Sequence, residues 1–516
     1  MRGHRHIAWR FCLTVVCLFL VQSLAWGGEQ PKAGGTLRVA WEADVTGFDP
    51  GLSRGIQAYY LKGNIFNPLV TVDENLNFVP ELAESWETQE NGKVYVFHLR
   101  KGVKFHDGTD FNAEAVRWNI QWTTDRDNQS VMDAFLDTIE TAEVIDNHTI
   151  KITLKYPTFT LLPALAQYRE GLLIKSPTAY EKFGKQDAQQ HPVGTGPFKL
   201  AKWEQNNLIV LEKNKDYWKP GLPYLDRIDF KIMKDGVTRA TALRAGEVDY
   251  VSWLPREHVD RVTKQAKIQV WTGKGSSTAF SAFNVSRKPF DNLKVRIALA
   301  GYGIDRRAIA KAALLGHGGP QWGFLPPGAK GFKDFSELYE YDPEKAKALL
   351  KEAGFDEQNP LKYSLITHAG ESALPTMATI MKTQLAKAGV QLNIEVLDRP
   401  IYLKRSNGHD YEQLLNASSH MLDAYDRASS FDRHSGVNIP NHQDPKIDEL
   451  LDRLRQASTE ADYLKAGEDL QEYATSQMLY FGVATLPDIE ASSDAMKGYV
   501  FMRGYKKRFE TVWLNK

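Results

Sequence analysis

The sequence predicts an α/β protein of several domains, and three stretches carry that reading. Val94-Tyr95-Val96-Phe97-His98-Leu99 alternates as a strand does and turns at Lys101-Gly102. Asp110 and Asn112 follow, either able to cap a helix from near Ala113 whose apolar positions include Ala115, Val116, Asn119 and Ile120. Gly35-Thr36-Leu37-Arg38-Val39-Ala40 alternates as an opening strand. From Ala373 to Leu397 a helical pattern stops at Gly389, and Val390, Leu392, Ile394 and Val396 then alternate as a strand. The length of 516 residues corresponds to about three or four ordinary domains, with ample chain to bury large cores.

Charge and cysteine usage narrow the function classes. The 64 basic residues balance 64 acidic ones, so nothing marks a polyanion-binding surface, and nucleic acid is not an expected partner. Aromatics make up 11% of the chain, which suits an aromatic-lined cavity and core packing alike. Residues 1–25 read as a secretory signal: Arg2, Arg5 and Arg10 precede the apolar run Phe11 to Val21, and Ser23-Leu24-Ala25 offers a cleavage site. A competing site follows Gly27. Both cysteines, Cys12 and Cys17, lie within that apolar run, which leaves the exported chain without thiols or disulfides. Neither is placed as a lipid-anchored cysteine would be, so the expectation is a freely soluble periplasmic monomer.

The middle of the chain adds longer signatures. Ala83-Glu84-Ser85-Trp86, Leu99-Arg100-Lys101-Gly102-Val103 and Phe105-His106-Asp107-Gly108-Thr109-Asp110-Phe111 stand close together. Pro192-Val193-Gly194-Thr195-Gly196-Pro197-Phe198 and Gly303-Ile304-Asp305-Arg306 follow. Together they resemble the peptide, opine and nickel group of extracellular solute-binding proteins that feed ABC importers, known as family 5, over nearly the whole exported chain. The resemblance implies a periplasmic binding protein of type II-like fold, two lobes with a hinge, in the large three-domain (cluster C) variant. It sets the expected domains: the first from 26–66, 194–282 and 488–516, the second from 67–193, the third from 283–487. His106 and Asp107 then read as a hydrogen-bonded turn of the scaffold, since a signature shared by receptors for different solutes does not distinguish the solutes. Within the third domain, Asp342-Pro343-Glu344 starts a helix that ends before Gly354, and Asp444-Pro445 starts another.

Candidate solute contacts follow from the same resemblance. The loop leaving the first strand lines the ligand cavity in such proteins, which brings forward Trp41, Glu42 and Asp44. Phe283-Asn284 matches the apolar-Asn pair that opens the third domain. Arg169 interrupts an apolar stretch and suits an anionic or polar partner, with a salt bridge to Glu170 or another carboxylate as the competing reading. Peptide-binding relatives carry a Gly-Trp pair followed by an Asp that receives the peptide's amino terminus. Here Ala417-Ser418 stands at the pair and Met421 near the Asp. Asp423 or Asp426 would replace the anchor, while Ser418, Ser419, His420 and Arg427 offer donors to carboxylate or hydroxyl groups. His368 and Glu371 would shape the same wall, and the solute expected is other than an ordinary free-amino-terminus dipeptide.

No nucleophile elbow, His-Glu-x-x-His helix or phosphate loop occurs in the sequence, and the 13 histidines are scattered. Pro197 removes a backbone donor where a phosphate nest would need it. The expectation is a receptor without catalytic residues, cofactor or resident metal, whose partners are a small solute and the transmembrane subunits of an ABC permease. The alternatives are a periplasmic hydrolase using cleft carboxylates, and a receptor for a metal-chelate or opine-type solute.

Overall fold

The computed structural model describes residues 29–166, 171–273, 277–418, 421–434, 438–504 and 506–516. The signal-like segment, Arg169, Ser419 and His420 therefore lie outside the described residues. Three sheets organise the chain. A seven-stranded sheet runs in the order Ile268–Thr272, Ile489–Ser493, Tyr250–Val251, Thr36–Trp41, Arg227–Ile232, Leu208–Lys213, Phe198–Glu204. Its central strand, Thr36–Trp41, is parallel to both neighbours. A four-stranded antiparallel sheet joins Ala83–Gln89, Val94–Leu99, Thr149–Leu154 and Ile139–Asp146. A six-stranded sheet contains Gly319–Pro320, Tyr480–Leu486, Ser277–Phe283, Gln413–Ser418, Lys362–His368 and Gln391–Leu397.

The chain passes between the seven- and six-stranded sheets twice, side by side. Ile268–Thr272 leads into Ser277–Phe283, and Tyr480–Leu486 leads into Ile489–Ser493. The two crossings pair with each other at Ser277 with Leu486 and at Thr272 with Ile489. Strand Ser277–Phe283 thus sits in the six-stranded sheet, and Ala279, Phe280 and Phe283 are buried in its packing.

Local signals account for the helices. Ala113–Thr124 begins where the Asn112 side chain accepts the Ala115 N–H at 2.9 Å, and it buries Ala115, Val116, Asn119 and Ile120. Pro343–Glu352 and Pro445–Gln456 start the same way under Asp342 and Asp444. The His106-Asp107 turn is stapled from several sides. Gly196 O lies 3.0 Å from His106 Nε2, and the Ser176 hydroxyl donates to Asp107 at 2.6 Å. Gly194 and Gly196 are required by close approach, since a Cβ on either would meet the Ile65 backbone at 2.3–2.4 Å.

A buried ion pair clips the loop after the first strand of the seven-stranded sheet to the segment that follows the four-stranded sheet. Lys175 Nζ lies 2.9 Å from Asp49 and 3.1 Å from the centre of the Trp122 ring. Asp49 belongs to the loop after the first strand and also accepts the Gly51 and Leu52 N–H groups. This makes one lobe of the seven- and four-stranded sheets, with the six-stranded sheet and its helices as the other.

Candidate functional site

A cleft of about 550 Å³ opens between the lobes, beside the two crossings. From the first lobe it is lined by Lys234, Arg239, Trp253 and Arg256, and from the second by Glu371 and Ser418. Leu486, Pro487 and Asp488 of the second crossing form part of its wall. Arg239 is buried and holds the first-lobe wall in shape. Its guanidinium donates to Met233 O at 2.7 Å, Lys234 O at 2.9 Å and Trp253 O at 3.1 Å. Trp253 has φ +51°, a left-handed conformation that bulky residues rarely adopt.

The lobes touch at two sets of contacts. Arg256, first residue of the Arg256–Thr263 helix, donates to Glu371 at 2.8 Å, and Asp260 on the same helix lies 3.4 Å from His317. In the second set, the segment after the four-stranded sheet meets the second lobe's helices. Phe159 N–H donates to Ala457 O at 2.7 Å, and the Thr158 hydroxyl to Arg455 O at 2.6 Å. The Phe159 ring packs between Phe78 and Tyr463, with centroids at 5.8 and 5.4 Å. These contacts make one continuous apolar cluster across the two lobes. Among the described residues no group of three or more His, Cys, Asp or Glu side chains is arranged to hold a metal.

Two lobes that enclose a cleft at paired crossings have the architecture of a closing receptor. A family model described as bacterial extracellular solute-binding proteins, family 5 Middle, matches residues 77–437. The glutathione-binding protein GsiB of Escherichia coli K12 is 34% identical over 360 residues, spanning 70% of this chain and 69% of its own. The chain is a family 5 solute-binding protein. As such it serves an ABC importer, taking a small solute between its lobes and delivering it to the permease subunits. Two solved structures share its architecture. The ABC transporter-associated periplasmic binding protein DppA from Helicobacter pylori, in complex with peptide STSA, gives a TM-score of 0.78 at 28% identity, over 94% of this chain and 99% of that one. AgaA in complex with agropinic acid, from A. tumefaciens R10, gives 0.77 at 27%, over 93% and 99%. The relatives are periplasmic binding proteins rather than enzymes, and no helix of the described residues is long and apolar enough to cross a membrane.

Within this family 5 receptor, Glu371 and Ser418 are the sequence-derived candidates that line the cleft. Trp41 is fully buried in the first-lobe core, edge-on to Phe230 at 5.2 Å, because it shares a strand face with Leu37 and Val39. Glu42 is engaged by Ser252 and Gln57, and Asp44 staples its loop by accepting from Trp203 Nε1 at 3.0 Å and Asn206 N at 2.7 Å. Phe283 stacks on Phe290 in the second-lobe core, and Asn284 donates to His409 O. His368 is buried behind the cleft wall: it lies 2.9 Å from Asn416 Oδ1 and accepts the Gly370 N–H at 3.0 Å. Burial lowers its pKa, with the Asn416 contact working in the opposite direction.

Asp423, Asp426 and Arg427 are not among the residues lining the cleft. Asp423 accepts from Tyr425 N and Asp426 N, while Asp426 accepts from Leu422 N. Burial, with Asp423 beside it, pushes the Asp426 carboxyl well above the usual range. Arg427 lies against the Phe280 and Tyr480 rings and donates to Ser430. Sequence reading missed Arg239, Trp253 and Arg256. The one available signal was Trp253-Leu254-Pro255-Arg256, a bulky aromatic and a cation straight after a strand.

Proposed function

We propose that the solute is a small, carboxylate-bearing molecule of peptide or opine type. The surplus of donors on the first-lobe wall carries this reading. Trp253 Nε1, Arg239 Nε and Arg256 Nε are buried and have no acceptor among the described residues. Of the carboxylates that line the cleft, Glu371 is engaged with Arg256 and Asp235 with the N–H of Thr238, and Glu257 and Asp488 line it as well. Buried donors favour a ligand that brings acceptors, and the cleft volume suits a solute of di- or tripeptide size. Glutathione and agropinic acid, the solutes named for GsiB and AgaA, both fit that chemistry.

Calorimetric titration with glutathione, agropinic acid and a panel of di- and tripeptides tests the reading. Binding by an acid of this set, with a shift in tryptophan emission on closure, is the expected result. An acid panel that leaves the protein untouched, while an uncharged or cationic solute binds, would sink it.

The export reading belongs to the same proposal: cleavage after residue 25 or 27, no acyl chain, and no turnover of the bound solute. Intact mass of the exported protein checks it. A retained Met1 or an added acyl mass contradicts the first part, and hydrolysis of a bound peptide the last.

A further inference from the structure

We propose that Arg256 receives the solute's carboxylate by exchanging it for Glu371, an inference that rests on the acidic-solute reading above. Arg256 lines the cleft from the first lobe, donates from Nη1 to Glu371 and leaves its buried Nε without an acceptor among the described residues. A carboxylate meets a guanidinium best through two parallel N–H···O bonds, so the existing pair leaves half of the Arg256 fork unsatisfied.

The exchange costs little at Glu371. Its side chain remains 27% exposed, and solvent-accessible ion pairs contribute weakly. It stands just ahead of the Ala373–Lys387 helix, whose first N–H, that of Ala373, already lies 3.4 Å from the Glu371 carboxylate. A carboxylate released from Arg256 therefore falls back on a helix start, where negative charge is favoured. Arg239 acts as a positioning residue: its three bonds to carbonyls fix the loops on which Trp253 and Arg256 are presented.

The swap also gives the empty receptor an internal stand-in for its cargo. Glu371 occupies the cation until an acid displaces it, so neutral analogues must compete against a carboxylate already in place. Selection then comes from the analogue's failure to pair Arg256.

The test is calorimetry on the wild type, Arg256→Ala, Arg256→Lys and Glu371→Gln. The probes are glutathione and its glycine ethyl ester, and Ala-Ala-Ala and its C-terminal amide. The wild type should bind at least one free acid about tenfold to a hundredfold more tightly than its blocked partner, as befits a charged hydrogen bond. Arg256→Ala should abolish that ratio, Arg256→Lys should restore part of it, and Glu371→Gln should tighten the acid by removing its competitor. Equal binding of acid and blocked form, or a ratio that survives Arg256→Ala, overturns the inference and leaves the receptor reading standing. Failure of every probe to bind the wild type overturns both.

Discussion

Asp49→Ala is expected to destabilise the first lobe by about 3–5 kcal/mol, the range for removing one partner of a buried ion pair. The Lys175 and Asp49 side chains are only 7% and 1% exposed, and the cation is enclosed by Trp122 and Tyr180. Burial holds the Lys175 ammonium down at about 8, against an ordinary 10.5, while Asp49 works in the opposite direction. Between those values the unfolded chain binds a proton that the folded chain does not, so this group adds stability as pH rises through the window. Once Lys175 is neutral it no longer needs Asp49. The deficit should therefore be largest below pH 8 and shrink above it, as followed by denaturant unfolding at fixed ionic strength. Equal deficits on both sides of pH 8 would place the loss in the Asp49 loop bonds to Gly51 and Leu52 instead.

Phe159→Ala is expected to weaken solute binding by about tenfold to a hundredfold without touching the cleft. The ring bridges the lobes, packing on Phe78 of its own domain and on Tyr463 opposite. A fully buried Phe→Ala change costs about 3–5 kcal/mol, and the part of the loss that falls on the closed form alone passes into the apparent dissociation constant. Small-angle scattering on the unliganded variant should show a larger radius of gyration than the wild type. Unchanged affinity together with an unchanged radius would show that this contact persists in the open state.

The parts of the molecule encoded by neighbours along the chain were legible in the sequence. Asn112, Asp342 and Asp444 each cap the helix that begins at the next residue by accepting an N–H two or three residues on, and those helices start where the residues say. The two-lobed family fold was legible through long signatures such as the His106-Asp107 turn. Trp41 shows where a borrowed expectation yields to periodicity: the alternation of Leu37, Val39 and Trp41 points all three into one core. Arg256 was illegible because its meaning comes from Glu371, 115 residues away, and from two lobes meeting. Nothing in a Pro-Arg-Glu run announces that encounter.

The paired crossings set the mechanics of the molecule. Only residues 273–276 and 487–488 separate the strands of one sheet from those of the other, and Gly273 N–H donates across the gap to Asp488 O at 3.0 Å. Two tethers this short and mutually bonded act as a pair of pins on one axle. Swinging about their common line is permitted, while sliding or twisting of one lobe against the other would tear the ladder between them. The receptor thus has essentially one large-amplitude degree of freedom. Asp488, on that axle, also forms part of the cleft wall. On the proposed site, cargo would bear directly on the pivot, and occupancy would reach the permease as a single angular coordinate.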